Sequence, residues 1–117
     1  MKPDADWRVH IYDMVTYARH ARGHVSGFDR DQFLADIKTI HAVSRCIEIV
    51  GEAANRVPPD VRSRAPEIPW RRIVATRNVL AHAYGEVSLD VLWGLVSGGL
   101  LDELERELHA LLDDRAP

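Results

Sequence analysis

The stretch Phe33-Leu34-Ala35-Asp36-Ile37-Lys38-Thr39-Ile40-His41-Ala42-Val43-Ser44-Arg45-Cys46-Ile47-Glu48-Ile49-Val50-Gly51-Glu52-Ala53-Ala54 decides the fold. Positions 33, 37, 40, 44, 47, 51 and 54 advance by alternating steps of four and three, which is the spacing of one helical face, and they read Phe, Ile, Ile, Ser, Ile, Gly, Ala. One long helix beginning at Phe33 is the prediction. A second apolar row, Val43, Cys46, Val50, Ala53 and Val57, widens the face beyond a single stripe, so the helix is expected to touch both its own bundle and another subunit. Gly51, in the middle of that face, allows another backbone to come close.

Upstream, Ile11, Met14, Val15 and Ala18 keep helical spacing, which predicts a first helix from about Asp6 to about Ala21, closed by Gly23 and Gly27. Downstream, Val57 to Pro69 holds four of the six prolines, at 58, 59, 66 and 69, and reads as a loop with at most a short helical turn at Pro58 or Pro59. A third helix begins at Pro69 or Trp70 and runs to between His82 and Tyr84, where Gly85 stops it. Ser88 caps a fourth, with Leu89, Trp93, Val96, Leu100, Leu104, Leu108 and Leu111 on one face and Asp102, Glu103, Glu105 and Glu107 on the solvent side. The expected fold is all-α: four main helices and a short extra turn, in a single domain spanning residues 1–117.

With 117 residues, 46% of them hydrophobic and 28% charged, the composition is globular. Thirteen arginines and two lysines face 18 acids, and the net charge of -3 argues against a general nucleic-acid coat, so any anion site must be local. Residues 62–77 carry five arginines against one acid, Glu67, and form either a solvated surface of mixed charge or a local site for a phosphate backbone, with Arg71 and Arg72 as its candidates. Cys46 is the sole cysteine, so a reducing, cytoplasmic setting without disulfides is expected. Residues 1–25 have no apolar leader, and the longest uncharged run, Val91 to Leu101, is too short to span a membrane. His20 and His24 lie one helical turn apart without a third ligand, so no metal site and no cofactor are expected.

The third helix breaks the binary pattern at one position. At 100° per residue, Ile73, Val74, Leu80 and Ala81 fall within about 80° of Trp70, and Arg77 falls about 20° from it, inside the same apolar stripe. A guanidinium there calls for a carboxylate, with Glu48 or Glu52 of the long helix as candidates, or for a phosphate. His82 sits five residues on, about 140° round the helix, where an imidazole can move protons near neutral pH.

The run Arg77-Asn78-Val79-Leu80-Ala81-His82-Ala83-Tyr84, directly after Ile68-Pro69-Trp70-Arg71, resembles the HepT-like toxins of the HEPN superfamily. Ile47-Glu48-Ile49-Val50-Gly51-Glu52-Ala53-Ala54 is similar to that family's long-helix signature, and Ser88 to Trp93 to the start of its last helix. The resemblance implies an antiparallel four-helix HEPN-type bundle that forms a homodimer, with the Arg and His motifs gathered at a cleft between subunits. It implies a metal-independent endoribonuclease of a toxin-antitoxin system, with Arg77 and His82 catalytic and Asn78 supporting. It implies also that a nucleotidyltransferase antitoxin silences the toxin by attaching AMP to Tyr84. The competing expectation is a non-catalytic helical dimer that binds a nucleotide or a protein partner, with Arg77 held in a structural ion pair.

Overall fold

The computed structural model describes residues 6–82, 85 and 88–113, which form seven helices and no strand among the described residues. Helix α1 (Trp7–Val25) starts at Asp6, whose side chain accepts from the Arg8 amide at 3.0 Å, and turns Ile11, Met14, Val15, Ala18, Ala21 and Val25 inward. It passes through Gly23 and outruns the expected end at Ala21 by a turn. The chain reverses at Gly27, whose φ of +81° is a left-handed conformation that glycine adopts without steric cost.

The long helix expected from Phe33 is two helices. Asp29 and Gln32 form a reciprocal capping box for α2 (Arg30–Leu34), and Asp36 caps α3 (Ile37–Arg56) by accepting from the Thr39 amide at 3.3 Å. Two aspartates seven residues apart thus start two helices where apolar spacing suggested one. Ile37, the first residue of α3, is exposed, whereas the rest of its row and the whole of the second apolar row are buried as expected. The helical turn after Pro58 is α4 (Pro59–Arg62).

Helix α5 (Trp70–His82) is anchored at its start, where the buried Trp70 indole donates Nε1–H to the Ala65 carbonyl at 3.1 Å. The fourth expected helix also divides, into α6 (Leu89–Ser97) and α7 (Leu100–Asp113), because Gly98 and Gly99, the latter at φ +80°, break the chain direction between them. The four long helices α1, α3, α5 and α7 make the bundle. Helix α3 packs on α1 and α5, and α7 packs on α1. Phe33 of α2, with no exposed surface, lies 5.3 Å from the Trp93 ring of α6 and joins the two short helices.

Glu105 was expected on the solvent side of α7 and is buried instead. Its carboxylate accepts from Arg19 Nε at 2.9 Å and Arg22 Nε at 2.6 Å, both on α1, and so ties the first and last helices together. Arg22 also reaches Asp102 at 2.8 Å, and Arg19 Nη2 lies 3.1 Å from His109 Nε2. No helix among the described residues is long and apolar enough to cross a membrane.

Candidate functional site

The site is built where α3 and α5 come closest. A Cβ added to Gly51 would stand 2.1 Å from Arg77 Cβ, 2.9 Å from Arg77 Cγ and 3.0 Å from the Ile73 carbonyl oxygen. Only a residue without a side chain lets α5 approach this far, and the root of Arg77 fills the space that Gly51 leaves. The guanidinium then runs along the edge of the pair of helices, with its side chain 29% exposed.

Two contacts hold it, and one buried donor is left over. Arg77 Nη1 donates to Asn78 Oδ1 at 2.9 Å, Arg77 Nη2 lies 3.6 Å from Glu52 Oε1, and the buried Nε–H finds no acceptor among the described residues. Of the two carboxylates named from sequence, Glu52 is therefore the one that meets Arg77. Glu48 is engaged by Arg45 of its own helix at 2.6 Å, and Arg45 lies 4.0 Å from Glu52 as well. Arg45 was not foreseen, although its position three residues before Glu48 and seven before Glu52 puts all three on one helical face. The result is a line of alternating charge, Glu48, Arg45, Glu52, Arg77, ending on the amide of Asn78.

His82 is the last residue of α5 and is exposed. It makes no hydrogen bond with Arg77, as the wheel requires of two side chains separated by about 140°. It shares its face instead with Arg71, Ala75 and Asn78, all exposed. Arg72, one residue on from Arg71, points to the other side of α5. Of the apolar residues placed in the α5 stripe, Trp70 and Leu80 are buried and Ile73 and Val74 half-buried, but Ala81 is exposed. Nothing among the described residues covers the edge of α5 where Ala81 lies, because among them α5 packs extensively on α3 alone. Tyr84 lies outside the described residues. His20 and His24 are solvent-facing, and no cluster among the described residues could hold a metal ion.

The all-helical bundle, with Arg77 and Asn78 on α5 and a histidine five residues after Arg77, is consistent with the HEPN-type bundle that the sequence resembles. Within that class, a family model described as "Ribonuclease HepT-like" matches residues 14–111, and the chain belongs to the HepT-like ribonuclease family. Its relatives carry matching names. It is 28% identical over 112 residues to "Putative RNase MJ0127" of Methanocaldococcus jannaschii, covering 96% of this chain and 92% of that protein. It is 31% identical over 91 residues to "Putative RNase MJ1380" of the same organism, covering 78% of this chain and 84% of that protein. It is 47% identical over 66 residues to "Probable ribonuclease HepT" of Thermococcus cleftensis, covering 56% of this chain and 60% of that protein. No solved structure matches the chain.

Proposed function

We propose that this protein is the toxin of a toxin-antitoxin pair: a cytoplasmic, metal-independent endoribonuclease that acts as a homodimer of single-domain chains. The observation that carries the reading is the half-buried Arg77 guanidinium, pinned by Gly51 and Asn78 at the uncovered edge of α5 and followed by the exposed His82. Within one chain these two groups face different directions, so a two-fold partner packed along that edge supplies the convergence that the chemistry needs.

The reaction is a transesterification. His82 removes the proton from a ribose 2′-hydroxyl, the 2′-oxygen bonds to phosphorus, and the bond to the 5′-oxygen breaks with a proton delivered to the leaving oxygen, leaving a 2′,3′-cyclic phosphate and a free 5′-hydroxyl. Arg77 stabilises the phosphorane charge, Asn78 and Glu52 position Arg77, and Glu48 supports Glu52 by sharing Arg45 with it. Arg71, on the face of His82, adds positive charge at the start of α5 for the RNA backbone, whereas Arg72 lines the other flank and takes no part in it. The nucleophile is part of the substrate and the catalyst's tasks are proton transfer and charge stabilisation, so no metal enters the scheme. A nucleotidyltransferase antitoxin silences the toxin by adenylating Tyr84, two residues past His82, where the added phosphate repels RNA from the same site.

The test is cleavage of RNA in the presence of a chelator by the wild type, His82→Ala and Arg77→Ala. Each substitution should reduce the rate by roughly 10²–10⁴-fold while the oligomeric state is kept. Incubation with the cognate nucleotidyltransferase and ATP should add the mass of AMP to the wild type and none to Tyr84→Phe. The Arg77–Glu52 ion pair is the one observation that favours the alternative, a non-catalytic nucleotide- or protein-binding dimer in which Arg77 is structural. Equal cleavage by all three proteins, or none by any, would decide for it.

A further inference from the structure

The opposite flank of α5 has no place in that chemistry, and it is open. Helices α5 and α7 do not pack extensively on each other, although each packs on the α1–α3 pair. Between them lies a groove of about 270 Å³, floored by Ile47 and Val50 of α3 and walled by Ile73, Leu101 and Leu104. Its volume is below that of an ordinary small-molecule site, and it suits one or two apolar side chains inserted from outside. Leu100, 51% exposed, extends the apolar surface at one end.

The rim identifies the occupant. Glu67, Glu103 and Glu107 border the groove, with Arg72 as the single cation among the described residues that line it, so the apolar floor is framed by an excess of negative charge. The Glu107 carboxyl is raised above the usual range first by desolvation and then by Glu103 and Glu67, with Arg106 acting the other way; the like charges are thus close enough to feel each other. A second copy seated here about a two-fold axis would set this acidic rim against its own image, and an RNA strand would meet the same repulsion. A helix with apolar side chains on one face and Lys or Arg beside them meets neither obstacle.

We propose that the groove between α5 and α7 docks an amphipathic helical segment of a partner protein, with apolar anchors in the groove and basic residues against Glu67, Glu103 and Glu107. On an ideal helix Thr76, which lines the groove, and Asn78, which holds Arg77, point about 160° apart, so an occupied groove leaves the ribonuclease flank open. The inference does not depend on the catalytic reading.

The experiment uses the full chain and two fluorescent synthetic helices of about four turns, identical in a leucine stripe at i, i+3 and i+7, one with lysine and the other with glutamate on its flanks. Fluorescence anisotropy should give saturable binding of the lysine peptide, roughly tenfold or more tighter than that of the glutamate peptide and weakening with salt. Glu103→Lys with Glu107→Lys should weaken it by roughly tenfold, and Leu100→Gln, at an exposed position, should weaken it without a charge change. RNA cleavage should be the same in all of these variants. Equal binding of both peptides, no saturation, or binding that ignores both sets of substitutions would overturn the proposal. Conversion of a dimer to a monomer by Leu100→Gln would overturn it too, because a second copy would then occupy the groove.

Discussion

The two flanks of the α3–α5 pair are made from opposite chemistry on the same two helices. On α3, Arg45, Glu48 and Glu52 point to one side, while Ile47 and Val50 point to the other, floored in the groove. On α5, Arg77 and Asn78 continue the charged side, and Ile73 and Thr76 continue the groove. Gly51 lies between them and sets the helix separation for both. The polar side chains of the charged flank contact one another within the chain, whereas the apolar flank has no covering helix among the described residues. Two surfaces fixed to one rigid pair of helices can serve different partners, and a substitution confined to one should leave the other unchanged.

The hardest test of that separation is Gly51→Ala, which acts on both flanks at once. The new Cβ meets Arg77 at its own Cβ and the Ile73 backbone oxygen, neither of which can swing aside, so the helices must part. Such overpacking costs about 1–3 kcal/mol, against about 1 kcal/mol regained from helix propensity. The melting midpoint should fall by several degrees, roughly 4–8 °C for each net kcal/mol lost, and RNA cleavage should fall with it. A variant as stable and active as the wild type would show that the glycine clamps nothing.

Glu52→Gln should act on one flank only. Its partly exposed pair with Arg77 contributes no more than about 1 kcal/mol, so the melting midpoint should hardly move. If Glu52 orients the guanidinium, kcat for RNA cleavage should fall by roughly tenfold with KM unchanged, the signature of an interaction made in the transition state. Lysine-peptide binding in the groove should not change. A loss of peptide binding would break the separation of the flanks.

Much of this arrangement is legible in the sequence, and the illegible parts have physical causes. The cores of α1 and α3 follow from apolar periodicity, and Gly51 announces a close approach, but no spacing says that Arg77 would be the residue to fill it. Glu48 and Glu52 lie one turn apart on the same face, so periodicity cannot choose between them; the seating of Arg77 against Gly51, the residue before Glu52, makes the choice. The break at Ala35–Asp36 is hidden because the four-residue step from Phe33 to Ile37 stays in helical phase across it. The leucine stripe likewise runs in phase across Gly98–Gly99. Glu105 sits among acids that read as solvent-facing, yet Leu101, Glu105 and Leu108 share a face, and that neighbourhood could have exposed it. The groove has no signature at all, since it arises from two helices that do not pack extensively on each other.

The smallest expected effect probes the rim of that groove. Because desolvation and the neighbouring Glu103 and Glu67 raise the Glu107 carboxyl above its usual value of 4.5, the folded protein holds this proton more tightly than the unfolded chain. Stability from this group is therefore lost as pH rises through the raised value, and the deficit is fully present at neutral pH. Glu107→Gln removes one member of the Glu103–Glu107 pair at i,i+4 and should stabilise the protein by about 0.2–0.5 kcal/mol at pH 7, with no gain at pH 4. A lysine-flanked peptide should relieve the same repulsion, so it should bind the wild type more tightly at pH 7 than at pH 4, and the difference should shrink in Glu107→Gln. A stability gain of the same size at both pH values would mean that the rim carboxylates do not repel one another, and the charge argument for the groove's occupant would fail with it.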